Sequence, residues 1–519
     1  MRKIQTTYQL IAGVLLMLTL VTSCIGDLDR FPTNGTTNDV QYASIEGYKQ
    51  SLVTIYGTLS FSDFLRNYWN MQELPTDEAV STWDDDGILA YHIFNYTADN
   101  VSIERVYRTS LYNVTLCNNF LIEASEENLT KRGYSGTDVE TIQQYKAEAR
   151  FMRAYYYWIL MDLYGNPPFA TEESLAAGEA PQQILRADLF KFIEDELLAV
   201  EANLAAPKTN EYGRADQSAC RALLSRLYLN AEVYTGTPKH TECVTYSKKV
   251  IDAGYSLESD YNWLMLADNY LNTNEFIFTS NYDNAVTETW GGTNYMALGA
   301  SGVTAEVNGM SSSWSSLRMC QQIPTLFPTF NETVDQRAQI WTEGMTLEVD
   351  DLGTSINGYS SYKYRNTDRD GNAIAQNNTY NNISDIDFPI FRLAEIYLNY
   401  AEAVLRGGAG GDAATALSYI NKIRGRAYAA DPSSTEGNIT SGDLNLDFIL
   451  DERAREMYWE AQRRTDLVRF DKLTTDDYLW DWKGGVPAGT AVDARFNLYP
   501  IPTSDLLANP NLKQLVSGY

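Results

Sequence analysis

Residues 309–317 read GMSSSWSSL, a single indole, Trp314, in a run of serines with a glycine just ahead. A core tryptophan has apolar neighbours at helical or strand spacing, and this one has almost none. The ring is either held out toward a ligand or folded down as an anchor for its own loop. The chain is rich in such rings, with 36 tyrosines and 10 tryptophans among 519 residues. Flat amphipathic rings serve to grip a ligand or to wedge helices together.

Other constellations point to different chemistry. Asp451, Glu452, Arg453, Arg455 and Glu456, followed by Arg463, Arg464 and Asp466, form a dense charged cluster. Two of its carboxylates could act as a glycosidase pair. The alternating signs also describe a salt-bridge lattice along a helix. Only two histidines exist, His92 and His240, so a His-rich metal site or a His-based triad has little material. RGGAGGD at 406–412 lacks the Lys-Ser/Thr of a phosphate loop and reads as a turn between helices. WDDDG at 83–87 offers calcium-type oxygens without a calcium-loop pattern, and a solvated turn explains it as well. The net charge of −28, from 40 basic and 68 acidic residues, argues against nucleic acid as a partner, because phosphate binding needs clustered Lys and Arg. No residue set implies a cofactor.

The N-terminus carries an address. Arg2 and Lys3 precede an apolar run from Leu10 to Val21. That run is too short for a span of about 20 residues, and with the small residues after it describes a secretory signal over 1–23. Thr22 and Ser23 directly before Cys24 resemble a bacterial lipobox, in which the cysteine is lipidated. A plain signal peptide with a coincidental cysteine is the alternative. Asp27 and Asp29 resemble the acidic surface-export signal of Bacteroidetes lipoproteins. Cys117, Cys220, Cys243 and Cys320 are scattered with no CxxC pair, either as small buried hydrophobes or as bridged pairs whose connectivity sequence does not give.

The elements that must position these residues are mostly helical. The lipidated cysteine and an extended tether occupy 24–40. Over 41–265, Thr137 and Glu140 have capping-box spacing and open a long helix. Phe151, Tyr155, Trp158, Ile159 and Leu163 line one face of it, and Gly165 with Pro167–Pro168 ends it. Phe190, Ile193, Leu197, Val200 and Leu204 keep helical register. ADQSACRALLSRLYLNAEVY and ECVTYSKKVIDAG read as a further pair, and short turns between such helices suggest antiparallel hairpins. From 266 to 385 Gly, Ser, Asn and Thr become frequent and the helical period fades. Helices return over 386–519 with FPIFRLAEIYLNYAEAVLRGG, DAATALSYINKIRGRA and LDFILDERAREMYWEAQRRTDL. The expectation is an all-α scaffold of helix hairpins interrupted by a long loop-rich insertion, where binding sites tend to lie.

Several stretches together resemble the SusD/RagB family of outer-membrane nutrient-binding lipoproteins. They are LVTSCIGDLD, MQELPTDE at 71–78, RFMRAYYYWILMDLYGNPPF, YGRADQSACRALLSRLYLNAEVYTG, DFPIFRLAEIYLNYAEA, EAQRRTDLVRF and LYPIP. The likeness spans nearly the whole mature chain, and YLWDWKGG and TWGGTNY look closest to the starch-binding member. The resemblance implies a scaffold of tetratricopeptide-like hairpins anchored by lipid to the outer membrane and facing the exterior. It implies no enzymatic activity, a starch or malto-oligosaccharide ligand, and a SusC-like TonB-dependent transporter as partner. Another glycan or a peptide cargo, or less readily a helical glycosidase, are the alternatives.

Carried over by position, the resemblance implies an arc of three stacking rings at Tyr96, Trp290 and Trp314, with two ring identities exchanged relative to the family pattern. Gly291 and Gly292 would leave Trp290 an open approach. Asp99 and Asn100, just past Tyr96, are then candidates for holding sugar hydroxyls, with Gln72, Asp77 and Arg66 as further ones. Each of these could equally be a turn former or a helix cap.

Overall fold

The computed structural model describes residues 38–62, 64–178, 180–327, 334–377 and 379–519. The signal segment, Cys24 and most of the tether lie outside the described residues. Two compact units divide between Tyr48 and Lys49. The first, where described, holds the short helix Asn38–Gln41. All that follows concerns the second.

Its helices include α1 (Leu65–Glu73), α2 (Val101–Glu123), α3 (Thr137–Tyr164), α4 (Arg186–Val200), α5 (Gln217–Leu229), α6 (His240–Ile251), α7 (Thr293–Gly299), α8 (Leu393–Leu405), α9 (Ala413–Ala429), α10 (Leu446–Met457) and α11 (Arg463–Arg469). Helix α3 packs between α2 and α4, α5 on α6, α6 on α8, and α8 on α9 and α10. The contact of α6 with α8 bridges the 266–385 stretch, joining the two helical regions. Among the described residues, four two-stranded antiparallel pairs accompany the helices. Two of them matter below: β1 (Val80–Ser81) with β3 (Leu317–Arg318), and β2 (Phe276–Ser280) with β4 (Phe388–Arg392). No helix among the described residues is long and apolar enough to cross a membrane.

Helix α3 differs from the one-faced expectation. Every residue from Phe151 to Tyr164 is buried, as befits a helix walled in on all sides. Two of its tyrosines satisfy their hydroxyls on backbone: Tyr157 Oη donates to Ala170 O at 2.7 Å and Tyr164 Oη to Ile103 O at 2.6 Å. Its N-terminus is also set differently. Thr137 is the first helical residue, and the cap position falls to Gly136 at φ 59°, a left-handed conformation that glycine adopts without strain. The expected helix beginning at Phe388 starts instead as β4. Pro389 and the pairing with β2 hold residues 388–392 extended, and α8 begins at Leu393. The four described cysteines beyond the tether are free and buried. Burial pushes the Cys117 and Cys243 thiols up to about 12.

The charged cluster of 451–466 does form salt bridges, but most of them are buried, and two helices rather than one carry it. Helix α10 stops at Met457, and Trp459 and Ala461 take φ of 64° and 59° before α11 begins. Left-handed backbone at a bulky residue costs energy, and here Trp459 is clamped in return. Its backbone N–H donates to Glu78 Oε2 at 2.9 Å and its indole N–H to Glu78 O at 2.9 Å. Trp69 Nε1 donates to Trp459 O at 3.0 Å.

Around this break lies a set of fully buried ions. The Arg392 guanidinium meets Glu275 at 3.0 Å, Glu456 at 2.6 Å and Glu460 at 2.7 Å. Arg426 also reaches Glu275 and Glu456, at 3.1 and 2.5 Å. Lys363 meets Glu460 at 2.7 Å, and Arg337 bridges Asp335 and Glu452 at 2.7 and 2.8 Å. Burial alone would raise the Glu452 carboxyl, but Arg337, Arg455 and Arg424 outweigh it and hold it at about 2. A second clamp joins α5 to α8, where Arg226 forks onto both oxygens of Glu395 at 2.7 Å each.

The MQELPTDE stretch contributes Glu73, Glu78 and Asp77 to the same region. Asp77 accepts from Arg463 at 2.8 and 2.7 Å and from Tyr478 Oη at 2.6 Å. Glu73 and Glu78 face each other. Burial, then the charge of Glu78, pushes Glu73 well above its ordinary 4.5, and burial lifts Glu78 to about 7 against the pull of Arg463. In the unfolded chain both carboxyls lose their protons near 4.5, so from there to about pH 7 the folded state binds more protons. Stability from this pair therefore falls as pH rises through that window. Glu73→Gln, which keeps the size and supplies a donor toward Glu78, should flatten the loss. Thermal unfolding between pH 5 and pH 8 checks this: the decline in midpoint is expected to be smaller in the variant than in the parent protein.

Candidate functional site

The 266–385 stretch brings two of the three expected rings together. Trp290 precedes α7, and Trp314 follows it on the loop that leads into β3. Their ring centroids lie 5.9 Å apart with planes at 44°. Trp290 is 40% exposed and Trp314 half-buried.

Tyr96 is not with them. It is 3% exposed and enclosed by Phe496 at 5.0 Å, Tyr499 at 4.9 Å, Tyr91 at 5.6 Å and Tyr519 at 6.2 Å. Its hydroxyl donates to Phe496 O at 3.4 Å. A ring enclosed by Tyr91 and the C-terminal tail has no open face for a ligand, so Tyr96 is a core residue. The ring that does lie beside Trp314 is Trp83, 5.8 Å away with planes at 61° and half-buried. Its signal in the sequence is an indole at the head of the acidic WDDDG stretch, among residues otherwise typical of a solvated turn.

Local sequence explains how the rings are held. The serines around Trp314 act as fasteners. Ser313 Oγ donates to Leu298 O and Ala300 O at 3.4 and 3.3 Å. Ser316 Oγ pairs with Ser81 Oγ at 2.9 Å and accepts from Thr82 N at 3.1 Å. The Trp314 N–H donates to Leu298 O at 2.6 Å and Ser316 N to Gly299 O at 2.8 Å, while Ser315 turns the chain at φ 50°. Small polar side chains thus bolt the loop to the end of α7 and to the β1–β3 pair, and Trp83, two residues past β1, donates its backbone N–H to Ser81 Oγ at 3.0 Å. Arg318, in β3, spends its donors on three carbonyls: Asn357 O at 2.7 Å, Leu352 O at 2.9 Å and Ser316 O at 3.3 Å. Burial lowers its guanidinium to about 10.

Gly291 and Gly292 do not open an approach to Trp290. A Cβ on Gly291 would lie 2.5 Å from the Ser62 backbone, and one on Gly292 would lie 2.2 Å from the Tyr282 ring. They are glycines because two other segments press against the backbone there.

Of the polar candidates, Arg66 is beside the rings. Its guanidinium lies 6.0 Å from the Trp83 centroid and 4.6 Å from that of buried Tyr295, and pairs with Asp85. Asp86 pairs with Arg105, which accounts for two of the three aspartates. Gln72 is buried, donating to Asp162 Oδ2 and accepting from the Thr465 N–H and hydroxyl at 3.3, 3.3 and 3.2 Å. Asp77 is buried in its pair with Arg463. Asn100 caps α2, accepting from Ile103 N at 3.1 Å, and its amide donates to Gly87 O at 3.0 Å. Asp99 is exposed, and its own N–H donates to Thr97 Oγ1 at 3.4 Å. Gln72, Asp77 and Asn100 thus have all or part of their hydrogen-bonding capacity committed to the scaffold.

The arrangement offers a row of three indoles with successive planes turned against each other, a cation at one end, and a rigid base. Indole faces cover apolar C–H surfaces, and the guanidinium donates to oxygen.

Comparison with known proteins agrees with this architecture. Residues 331–519 match a family model described as SusD family, and residues 52–229 one described as starch-binding associating with outer membrane. The chain is 34% identical to the starch-binding protein SusD of Bacteroides thetaiotaomicron, over 95% of each chain. It is 24% identical to a SusD-like protein of Bacteroides ovatus, over 87% of this chain and 80% of that one. Among solved structures, the surface glycan-binding protein A of Bacteroides fluxus superposes with TM-score 0.71 at 22% identity, covering 92% of this chain and all of that one. The corresponding protein A of Bacteroides thetaiotaomicron, in complex with laminarihexaose, superposes with TM-score 0.70 at 18% identity, covering 90% and 99%.

The role of Asn100 as a cap has a direct check. Asn100→Ala should lower unfolding stability by about 1 kcal/mol, the usual cost of losing an N-cap, as read from urea denaturation, while the indole emission of the folded protein stays unchanged.

Proposed function

The chain belongs to the SusD family, and from that premise we infer that it is a cell-surface lipoprotein that binds starch and malto-oligosaccharides and passes them to a SusC-like TonB-dependent transporter. The observation that carries the ligand is the row Trp83, Trp314 and Trp290. Pyranose rings present apolar C–H faces that stack on indole, and a few polar groups, Arg66 first, fix hydroxyls and orientation. Planes that turn by 61° and 44° from ring to ring suit a chain that curves, as an α-glucan does, better than a flat ribbon. The relative at 34% identity is named for starch binding, and the family model over 52–229 is described by association with the outer membrane. Both support this reading. Trp290 and Trp314 come from 266–385, the segment we propose as the ligand-binding insertion.

The placement of the carboxylates supports binding without hydrolysis. A glycosidase needs two facing carboxylates, one of them a raised-pKa acid, across an accessible bond. Here Asp85 and Asp86 beside the rings pair with arginines, and Glu73 and Glu78, whose carboxyls are raised, lie in the core. A second reading keeps the platform and changes the glycan, favoured by the laminarihexaose complex on the same scaffold.

Calorimetric titration of the protein lacking residues 1–24 with maltoheptaose, α-cyclodextrin, cellohexaose and laminarihexaose separates the two. The expected result is heat with the two α-glucans alone. Trp314→Ala should weaken maltoheptaose at least tenfold, which is about 1.4 kcal/mol. Heat with laminarihexaose and none with either α-glucan would establish the second reading, and release of reducing sugar would overturn the non-enzymatic one.

A further inference from the structure

The row of rings does not end at Trp290. The Tyr380 ring meets the Trp290 indole edge to face, with centroids 5.1 Å apart and planes at 66°, and Tyr380 is 53% exposed. Contacts therefore run Trp83, Trp314, Trp290, Tyr380 at 5.8, 5.9 and 5.1 Å. Each step is comparable with the size of a pyranose ring, and at each the neighbouring planes are inclined by a large angle.

The segment bearing Tyr380 is fastened to the same base as the other rings. Asn382 Oδ1 accepts from the Ser311 N–H at 3.0 Å, and its amide donates to Ser312 Oγ at 2.8 Å, so Asn382 holds the loop of Trp314. On the other side of Tyr380, Asn377 N donates to Asn284 Oδ1 at 2.7 Å, ahead of Trp290. Tyr380 is thereby placed between two loops that carry stacking rings.

We propose that Tyr380 is a specificity-determining residue of this site, a fourth stacking position met only by a chain long enough to pass Trp290 and still turning when it does so. The inference rests on reading the row of indoles as an α-glucan site. A phenol ring supplies an apolar face and a hydroxyl for a further glucosyl unit. A flat β-linked chain leaving Trp290 would run straight past a ring inclined at 66°. Tyr380 therefore adds affinity for long curved chains and none for short ones. This separates it from a residue that merely braces Trp290, which would affect every chain length alike.

The test is titration of the wild-type protein, Tyr380→Ala and Tyr380→Phe with maltotriose and maltoheptaose. In Tyr380→Ala, maltoheptaose affinity should fall roughly three- to tenfold, the range for one aromatic contact, with maltotriose affinity unchanged. Tyr380→Phe should retain most of the affinity. Equal losses on both sugars, or no loss on either, would overturn the fourth position while leaving the α-glucan reading intact. Failure of the wild-type protein to bind either sugar would instead overturn that reading and this inference with it.

Discussion

Charge without water is the constraint around which this molecule is built. Arg392, Arg426, Arg337 and Lys363 are buried with Glu275, Glu452, Glu456, Glu460 and Asp335, and ions removed from solvent are tolerated only when each is neutralised and hydrogen-bonded. The partners come from far apart in the chain. Glu275 stands just before β2, Arg392 ends β4, Arg426 lies in α9, Glu456 in α10, and Glu460 follows the break after α10. Satisfying any one of them fixes the register of all these segments at once. Removing one partner from such a set costs about 3–5 kcal/mol, because the ions left behind have nowhere else to go. The left-handed residues Trp459 and Ala461 make sense in that light. They let the chain deliver the Glu460 carboxylate to Arg392 and Lys363 while presenting the Trp459 indole to Glu78 in a different direction.

From that core a line of aromatic contacts runs to the surface. Trp459 meets Trp69 at 5.6 Å, Trp69 meets Tyr295 at 5.7 Å, and Tyr295 meets Trp83 at 5.6 Å. Trp83 then opens the row of partly exposed indoles. The platform is thus the outer end of the packed interior and does not hang from a loop tip. Rings already held in place lose little freedom on binding, so more of the contact energy survives as affinity.

Much of the scaffold was legible from periodicity and punctuation. The helices over 137–164, 186–200, 217–229 and 240–251 fall where their apolar spacing and their Gly and Pro stops put them. What was not legible depended on partners far away in sequence. Residues 388–392 have helix-compatible neighbours but are drawn out as a strand by Phe276–Ser280. The charged run of 446–467 has an unbroken helical pattern, yet it is broken at Trp459 by groups at Glu78 and Trp69. The site divides in the same way. Trp290 and Trp314 stood out against small polar neighbours, whereas Tyr96 and Trp83 could be told apart only by knowing that the C-terminal tail, through Phe496, Tyr499 and Tyr519, folds over the first. Gln72 and Asp77 offered polar atoms, but those atoms belong to Thr465 and Arg463.

The buried thiols have a practical side. Cys117, Cys220, Cys243 and Cys320 have their sulfurs sealed in the interior, and a thiol reacts only as a thiolate that a reagent can reach. In the native state these four are chemically silent, behaving as small apolar side chains. A cysteine engineered onto the rim of the indole row would therefore stand alone against that background. In the protein lacking residues 1–24 it would accept a fluorophore or a spin label selectively and report on the surroundings of the indole row, with the four buried cysteines left in place.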